Sequence, residues 1–233
     1  MVRYQDLTVD GNTMRTLVSE AEGNGPHPGV VLMFHVGGFD EFTEDFAVKL
    51  ANEGYTVVAP DVFHRIPGIT EGDEKRANMT DPQVERDILA ALEYLKTLPD
   101  VSTSRLGIIG HCMGGRMAYQ GAIVSDDFKV CVVYYGGHMF KTWGDGSKTP
   151  YERLDQFTGD FLGLFGADDK NPSPEDVKKI VARLDELGID TTVHTFEDAG
   201  HAFQNFVAPQ RYRAKQAVEA WNIMMAYLKD RLG

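Results

Sequence analysis

Apolar and polar positions alternate through residues 2–9 and again through 13–19, with Asp10-Gly11-Asn12 between them. Period-two alternation on either side of an Asp-Gly pair predicts two short strands joined as an antiparallel hairpin. The pattern then changes. After the loop Gly25-Pro26-His27-Pro28-Gly29, the run Val30-Val31-Leu32-Met33-Phe34 is apolar without interruption. Tyr55 to Asp61, Leu106 to Gly110, residues 129–135 and residues 161–166 are of the same kind. Short continuous runs fit strands buried on both faces, as in a parallel sheet covered by helices. Residues 190–196 add one more strand.

Between these runs the period lengthens. Residues 41–53 read as a helix ending near Gly54. Residues 81–97 read as a long helix with Asp81 as N-cap, Pro82 in the first turn and a stripe of Ile88, Leu89, Leu92 and Leu95. Further helices are expected at 114–124, from Pro174 to Leu187 (stopped by Gly188) and at 209–231. Residues 62–79 look irregular. Residues 138–158, with Trp143, Gly144, Gly146 and Pro150, form a long loop suited to roofing a pocket. Strands alternating with helices predict an α/β fold: a mostly parallel central sheet, helices on both faces and an antiparallel N-terminal hairpin. No linker divides the chain, so a single domain over 1–233 is expected.

Composition narrows the function. A formal net charge of −12 argues against nucleic acid or an anionic membrane surface as partner. The two cysteines, Cys112 and Cys131, indicate no disulfide framework. The N-terminus is polar and no segment reaches membrane-spanning length, so a cytoplasmic protein is expected, monomer or homodimer. His and carboxylate spacing suggests no metal site and no cofactor.

The chemistry concentrates at Gly110-His111-Cys112-Met113-Gly114-Gly115, between a strand and a helix. This is G-x-C-x-G, the cysteine form of the nucleophile elbow, which places Cys112 at a helix N-terminus where thiolate is favoured. The plain alternative is a buried cysteine in a glycine-rich turn. A base is expected at His201, in Gly200-His201-Ala202-Phe203 after the last strand. Its acid is expected in Gly166-Ala167-Asp168-Asp169, where spacing favours Asp169 over Asp168. The order nucleophile, acid, histidine is that of α/β-hydrolases. The Met113 N–H and a donor from Val36-Gly37-Gly38-Phe39 would hold an oxyanion, with Val36 first choice and Gly37 second. Candidate pocket residues are His35, Gly37, Phe39, Arg65, His138, Trp143, Phe203 and Gln204; packing is the commoner role for Phe39 and Trp143, solvated surface for an arginine such as Arg65, and His35 reads as structural or positioning rather than basic. Arg76, Arg116, Tyr135 and His64 are further candidates for pocket or anion contacts. Cys131, in an apolar strand, reads as inert.

PHPGVVLMFH, EGYTVVAPDVF, SRLGIIGHCMGGRMA, VVYYGG, FGADDKNPSPEDV and EDAGHAF together resemble the dienelactone hydrolase (carboxymethylenebutenolidase) family over nearly the whole chain. The resemblance implies an α/β-hydrolase fold. It also implies a Cys-Asp-His triad at Cys112, Asp169 and His201, and cleavage of an activated ester or enol lactone through a thioester. The rival readings are a general carboxylesterase or thioesterase and a catalytically silent binding protein. Two family features are missing. A glutamate that helps control the cysteine's ionisation is replaced by His35-Val36-Gly37-Gly38. An arginine that binds the substrate carboxylate shortly after the histidine is replaced by Phe203-Gln204-Asn205.

Overall fold

The computed structural model describes residues 1–144 and 148–233. Gly146 of the expected loop lies outside the described residues. The hairpin is β1 (Val2–Val9) and β2 (Asn12–Ser19). Val9 faces Asn12, which leaves a two-residue turn. Asp10 and Gly11 both take positive φ, 51° and 76°, the backbone a type I′ turn requires.

β3 (His27–Met33), α1 (Glu41–Asn52) and β4 (Thr56–Pro60) follow. Then come the short α2 (Gly72–Ala77), α3 (Asp81–Thr97), β5 (Val101–His111), α4 (Met113–Val124) and β6 (Phe128–Tyr134). A 3₁₀ turn at Tyr151–Gln156 precedes β7 (Asp160–Gly166), α5 (Pro174–Glu186), β8 (Thr191–Phe196) and α6 (Ala214–Leu232). The sheet order is β1-β2-β4-β3-β5-β6-β7-β8. β1 and β2 pair antiparallel, as do β2 and β4, and the remaining pairs are parallel. This is the α/β-hydrolase fold.

The unbroken apolar runs follow from burial on both sheet faces. Val31, Met33, Ile108, Cys131 and Val133 pack against α3, α4 and α5 through Ile88, Leu92, Met117 and Ile180. Their neighbours Val30, Leu32, Ile109, Val130 and Val132 pack on the other face with Phe46 and Leu50 of α1 and Met224 and Leu228 of α6. Alternate side chains point to opposite faces, so both sets must be apolar.

Element bounds differ from expectation where no apolar pattern marks them. β5 starts five residues early because Ser102 to Arg105 face outward. α2, inside the stretch read as irregular, buries no residue and so carries no stripe. α6 starts at Ala214, not at residue 209, and its first buried side chain is Ala217.

The expected roof is partly core. Arg116 of α4 is fully buried and bonds both oxygens of Asp81, at 2.6 and 3.1 Å. It also donates to the carbonyls of His138 and Lys141 and lies 4.0 Å from the Trp143 ring centre. The Trp143 N–H donates to Asp81. Trp143 is therefore clamped inside this network and is not a pocket residue. The Asp81 carboxylate, expected to cap α3, instead accepts from Arg116, while Thr80 occupies the N-cap position.

Candidate active site

β5 ends in the elbow. Cys112 holds φ 56° and ψ −117°, a strained backbone for a residue with a side chain. The turn closes only because two glycines surrender space. A Cβ at Gly110 would strike the Gly114 carbonyl, and one at Gly114 would strike the carbonyls of Met33 and Phe34 at the end of β3. Gly114 therefore presses the first turn of α4 onto the end of β3, where the 34–38 loop begins.

Three loops after parallel strands converge here. The His201 Nε2 lies 3.0 Å from Cys112 Sγ, and its Nδ1 lies 2.9 Å from Asp169 Oδ2. Asp169 is buried, and its other oxygen accepts the Asn171 N–H at 2.9 Å. Asp168 is exposed, with its own N–H on the Ala199 carbonyl. The carboxylate that meets His201 is thus that of Asp169. The Tyr135 ring packs edge-on against His201 at 5.2 Å.

The charges reinforce each other. Burial works to raise the Cys112 thiol, but the bond and charge of His201 and the Met113 N–H hold it below its ordinary value. Burial works to discharge His201, but its bonds to Asp169 and Cys112 raise it to about 10. Fully buried Cys131 is pushed up by desolvation alone.

A cavity of about 390 Å³ opens over Cys112 and His201. Val36 and Met113 line it, as do His138, Asn171, Arg76 and Arg211, with the acidic Glu71 and Asp73 on the same wall. Asn171 holds His138 in place, accepting its N–H at 3.2 Å and meeting its ring Nε2 at 2.7 Å. Arg76 is paired with Asp73, whereas Arg211 makes no ion pair among the described residues.

Of the expected pocket and anion-contact residues, His138 and Arg76 line this cavity. Arg65 is drawn away by Asp87 and Asp10, at 2.7 and 2.8 Å. His64 is spent on the same Asp87. Phe203 is fully buried against Tyr135 and Phe196. Gln204 bonds His111 Nε2 at 3.1 Å behind the elbow, so His111 points away from the cavity. Phe39 packs on Tyr4 and Phe34. His35 and Gly37 bond to each other behind the loop.

Sequence reasoning missed Arg211 and Asn171. The helix expected from residue 209 takes in Arg211, although that stretch has no apolar face. Pro209 and the late onset of the stripe at Ala217 were the signals that a turn came first.

The chain matches the sequence profile of the Dienelactone hydrolase family over residues 14–232. It is 28% identical over 217 residues to a Synechocystis sp. protein named "Putative carboxymethylenebutenolidase", covering 88% of this chain and 86% of that one. It is 26% identical to a Bradyrhizobium sp. protein named "Probable 2-oxo-3-(5-oxofuran-2-ylidene)propanoate lactonase", covering 97% and 93%. Among solved structures it superposes with TM-score 0.87 on a "Putative Dienelactone Hydrolase" from Klebsiella pneumoniae, at 22% identity and covering 98% and 99% of the two chains. A dienelactone hydrolase-like promiscuous phosphotriesterase from metagenomic libraries gives TM-score 0.86 at 21% identity, covering 100% and 99%. The profile match spans nearly the whole sequence, and the chain belongs to the dienelactone hydrolase family.

Proposed function

We propose that this hydrolase cleaves activated esters or enol lactones with Cys112 as nucleophile. The observation that carries the reading is the unbroken line Sγ–Nε2 at 3.0 Å and Nδ1–Oδ2 at 2.9 Å. The thiolate attacks the carbonyl carbon, and the C=O electron pair moves onto oxygen, held by the Val36 and Met113 N–H groups. The pair then returns and expels the leaving oxygen, which takes the proton from His201 Nε2. A thioester on Cys112 remains. His201, now neutral, takes a proton from water, whose oxygen attacks the thioester. The acid departs and the thiolate–imidazolium pair is restored. Asp169 stays ionised throughout, orienting the imidazole and balancing its charge.

Sulfur constrains the substrate. A thiol with pKa about 8.5 leaves a tetrahedral intermediate far more readily than a simple alkoxide does. Enolates and phenolates compete with it; ethoxide does not. Glu71 and Asp73 also line the cavity and Asp73 holds Arg76, so Arg211 is the guanidinium left to favour an ester that carries a carboxylate. Arg211 enters from the segment after His201, so that segment supplies a guanidinium even though Phe203-Gln204-Asn205 holds none. The Bradyrhizobium relative, named as the lactonase of a propanoate, agrees with that preference.

A leaving-group series of aryl and alkyl esters tests the proposal. The expected result is a steep rise in kcat/KM with leaving-group acidity, abolished in Cys112→Ala. Retention of activity in Cys112→Ala overturns it.

A further inference from the structure

The loop that follows β3 has a bonding pattern that the proposed reaction leaves unexplained. The Gly38 N–H closes a turn onto the His35 carbonyl. The Gly37 N–H donates to His35 Nδ1 at 3.2 Å. Because Nδ1 accepts that bond, the ring proton sits on Nε2 and donates to Asp40 Oδ2 at 2.8 Å. Asp40 in turn caps α1, its Oδ1 accepting the Thr43 N–H at 3.0 Å, and the Thr43 hydroxyl bonds the Gly38 carbonyl at 2.8 Å. The His35 ring lies so close to Gly37 that a Cβ there would overlap it. The Gly37 and Gly38 N–H groups are thus both engaged within the turn, on the ring and the carbonyl of His35. The Val36 N–H has no acceptor among the described residues, and Val36 lines the cavity.

We propose that His35 and Asp40 form a positioning dyad. By holding the Gly37 N–H back, they present the Val36 N–H alone to the oxyanion and anchor it to the rigid N-terminus of α1. Neither residue touches substrate, and neither exchanges a proton with Cys112. The inference rests on the proposed cysteine chemistry, and its test separates the two. Acyl transfer needs both the thiolate and an oxyanion donor. Alkylation of the same sulfur by iodoacetamide needs only the thiolate.

His35→Ala is expected to lower kcat on an aryl ester by about 10- to 100-fold, part of the loss seen when an oxyanion donor is deleted outright. KM and the iodoacetamide rate at Cys112 should stay within about twofold. His35→Asn keeps an acceptor near the Nδ1 place and should recover more of kcat than His35→Gln, which keeps only the far end. Asp40→Ser keeps the helix cap but cannot reach the ring, and should resemble His35→Ala. Parental kcat in His35→Ala overturns the dyad. So does an alkylation rate that falls together with kcat, because the histidine would then act on the sulfur or on the fold. If His35→Ala does not fold, equal kcat in the Asn and Gln variants overturns it instead. A parent enzyme in which Cys112 resists alkylation, or a Cys112→Ala variant that stays active, rejects the cysteine reading and not the dyad.

Discussion

Two opposing effects act on the sulfur of Cys112. Burial favours the thiol; His201 and the Met113 N–H favour thiolate, and the net shift is downward. His201 is shifted the opposite way, to about 10. The raised histidine stabilises the fold fully below its unfolded value and loses that contribution as pH rises through about 10. The lowered cysteine contributes above the ordinary thiol value and loses its part as pH falls through its own folded value. The ion pair therefore exists between those limits. Iodoacetamide should alkylate Cys112 with an inflection below the pH of about 8.5 expected of a free thiol, while Cys131, fully buried, stays unlabelled. A profile that tracks a free thiol counts against the pair. The neighbouring aspartates separate in the same way. Asp169→Asn removes the charge facing His201 and is expected to lower kcat by about 10²–10⁴-fold, whereas exposed Asp168→Asn should stay within about twofold of the parent. Steady-state kinetics on one aryl ester decide both.

The elements show which local patterns are legible from sequence and which are not. Buried runs such as Val30 to Phe34 and the glycine-flanked elbow could be read directly, because burial on two faces and a forced backbone each leave a mark on residue type. The triad candidates could be read because each follows a strand. The pocket walls could be read only in part: Val36, Met113, His138 and Arg76 line the cavity as expected, while Arg65 and Trp143 do not. Arg65 looks like a free cation until Asp87, 22 residues away in sequence, is seen to hold it, and Trp143 looks like a roof until Arg116 is found beneath it. Long-range polar pairs carry no periodicity, so chain order does not reveal them. The Arg116–Asp81 pair has a consequence for stability. Asp81→Ala leaves a buried guanidinium without its carboxylate, which costs about 3–5 kcal/mol. Urea denaturation should show that loss with its midpoint lowered, and the 138–143 segment, tied to the same guanidinium, should become more sensitive to protease. An unchanged midpoint would mean that water replaces the carboxylate. Gly114→Ala is a sharper case: its Cβ meets backbone and not a movable side chain, so the elbow must open, and iodoacetamide reactivity should fall with activity.

At the scale of the molecule, topology gathers the chemistry. Cys112 follows β5 and His201 follows β8, three strands away in the sheet order, a span of roughly 14 Å at about 4.8 Å per strand. The gap closes because the loop after β8 folds back over β7, where the Asp168 N–H bonds Ala199 and Gly166 leaves room for the Ala199 carbonyl. The charge distribution sets long range against short range. The chain carries −12 overall, yet its cavity holds Arg211, without an ion partner among the described residues, beside Glu71 and the Arg76–Asp73 pair. The Debye length is about 30 Å at 0.01 M salt and about 8 Å at 0.15 M. At low salt an approaching anion feels the whole molecule and is repelled. At physiological salt the repulsion is screened, and contact with Arg211 inside the cavity is screened far less. For an acidic ester kcat/KM should therefore rise between these salt concentrations, while a neutral isostere of the same leaving group stays flat. Arg211→Ala should erase the preference for the acidic ester at either concentration and leave the rise with salt in place. A fall with salt for the acidic ester would mean that the cavity's cations govern even the distant encounter, and the opposition between global and local charge would then be wrong.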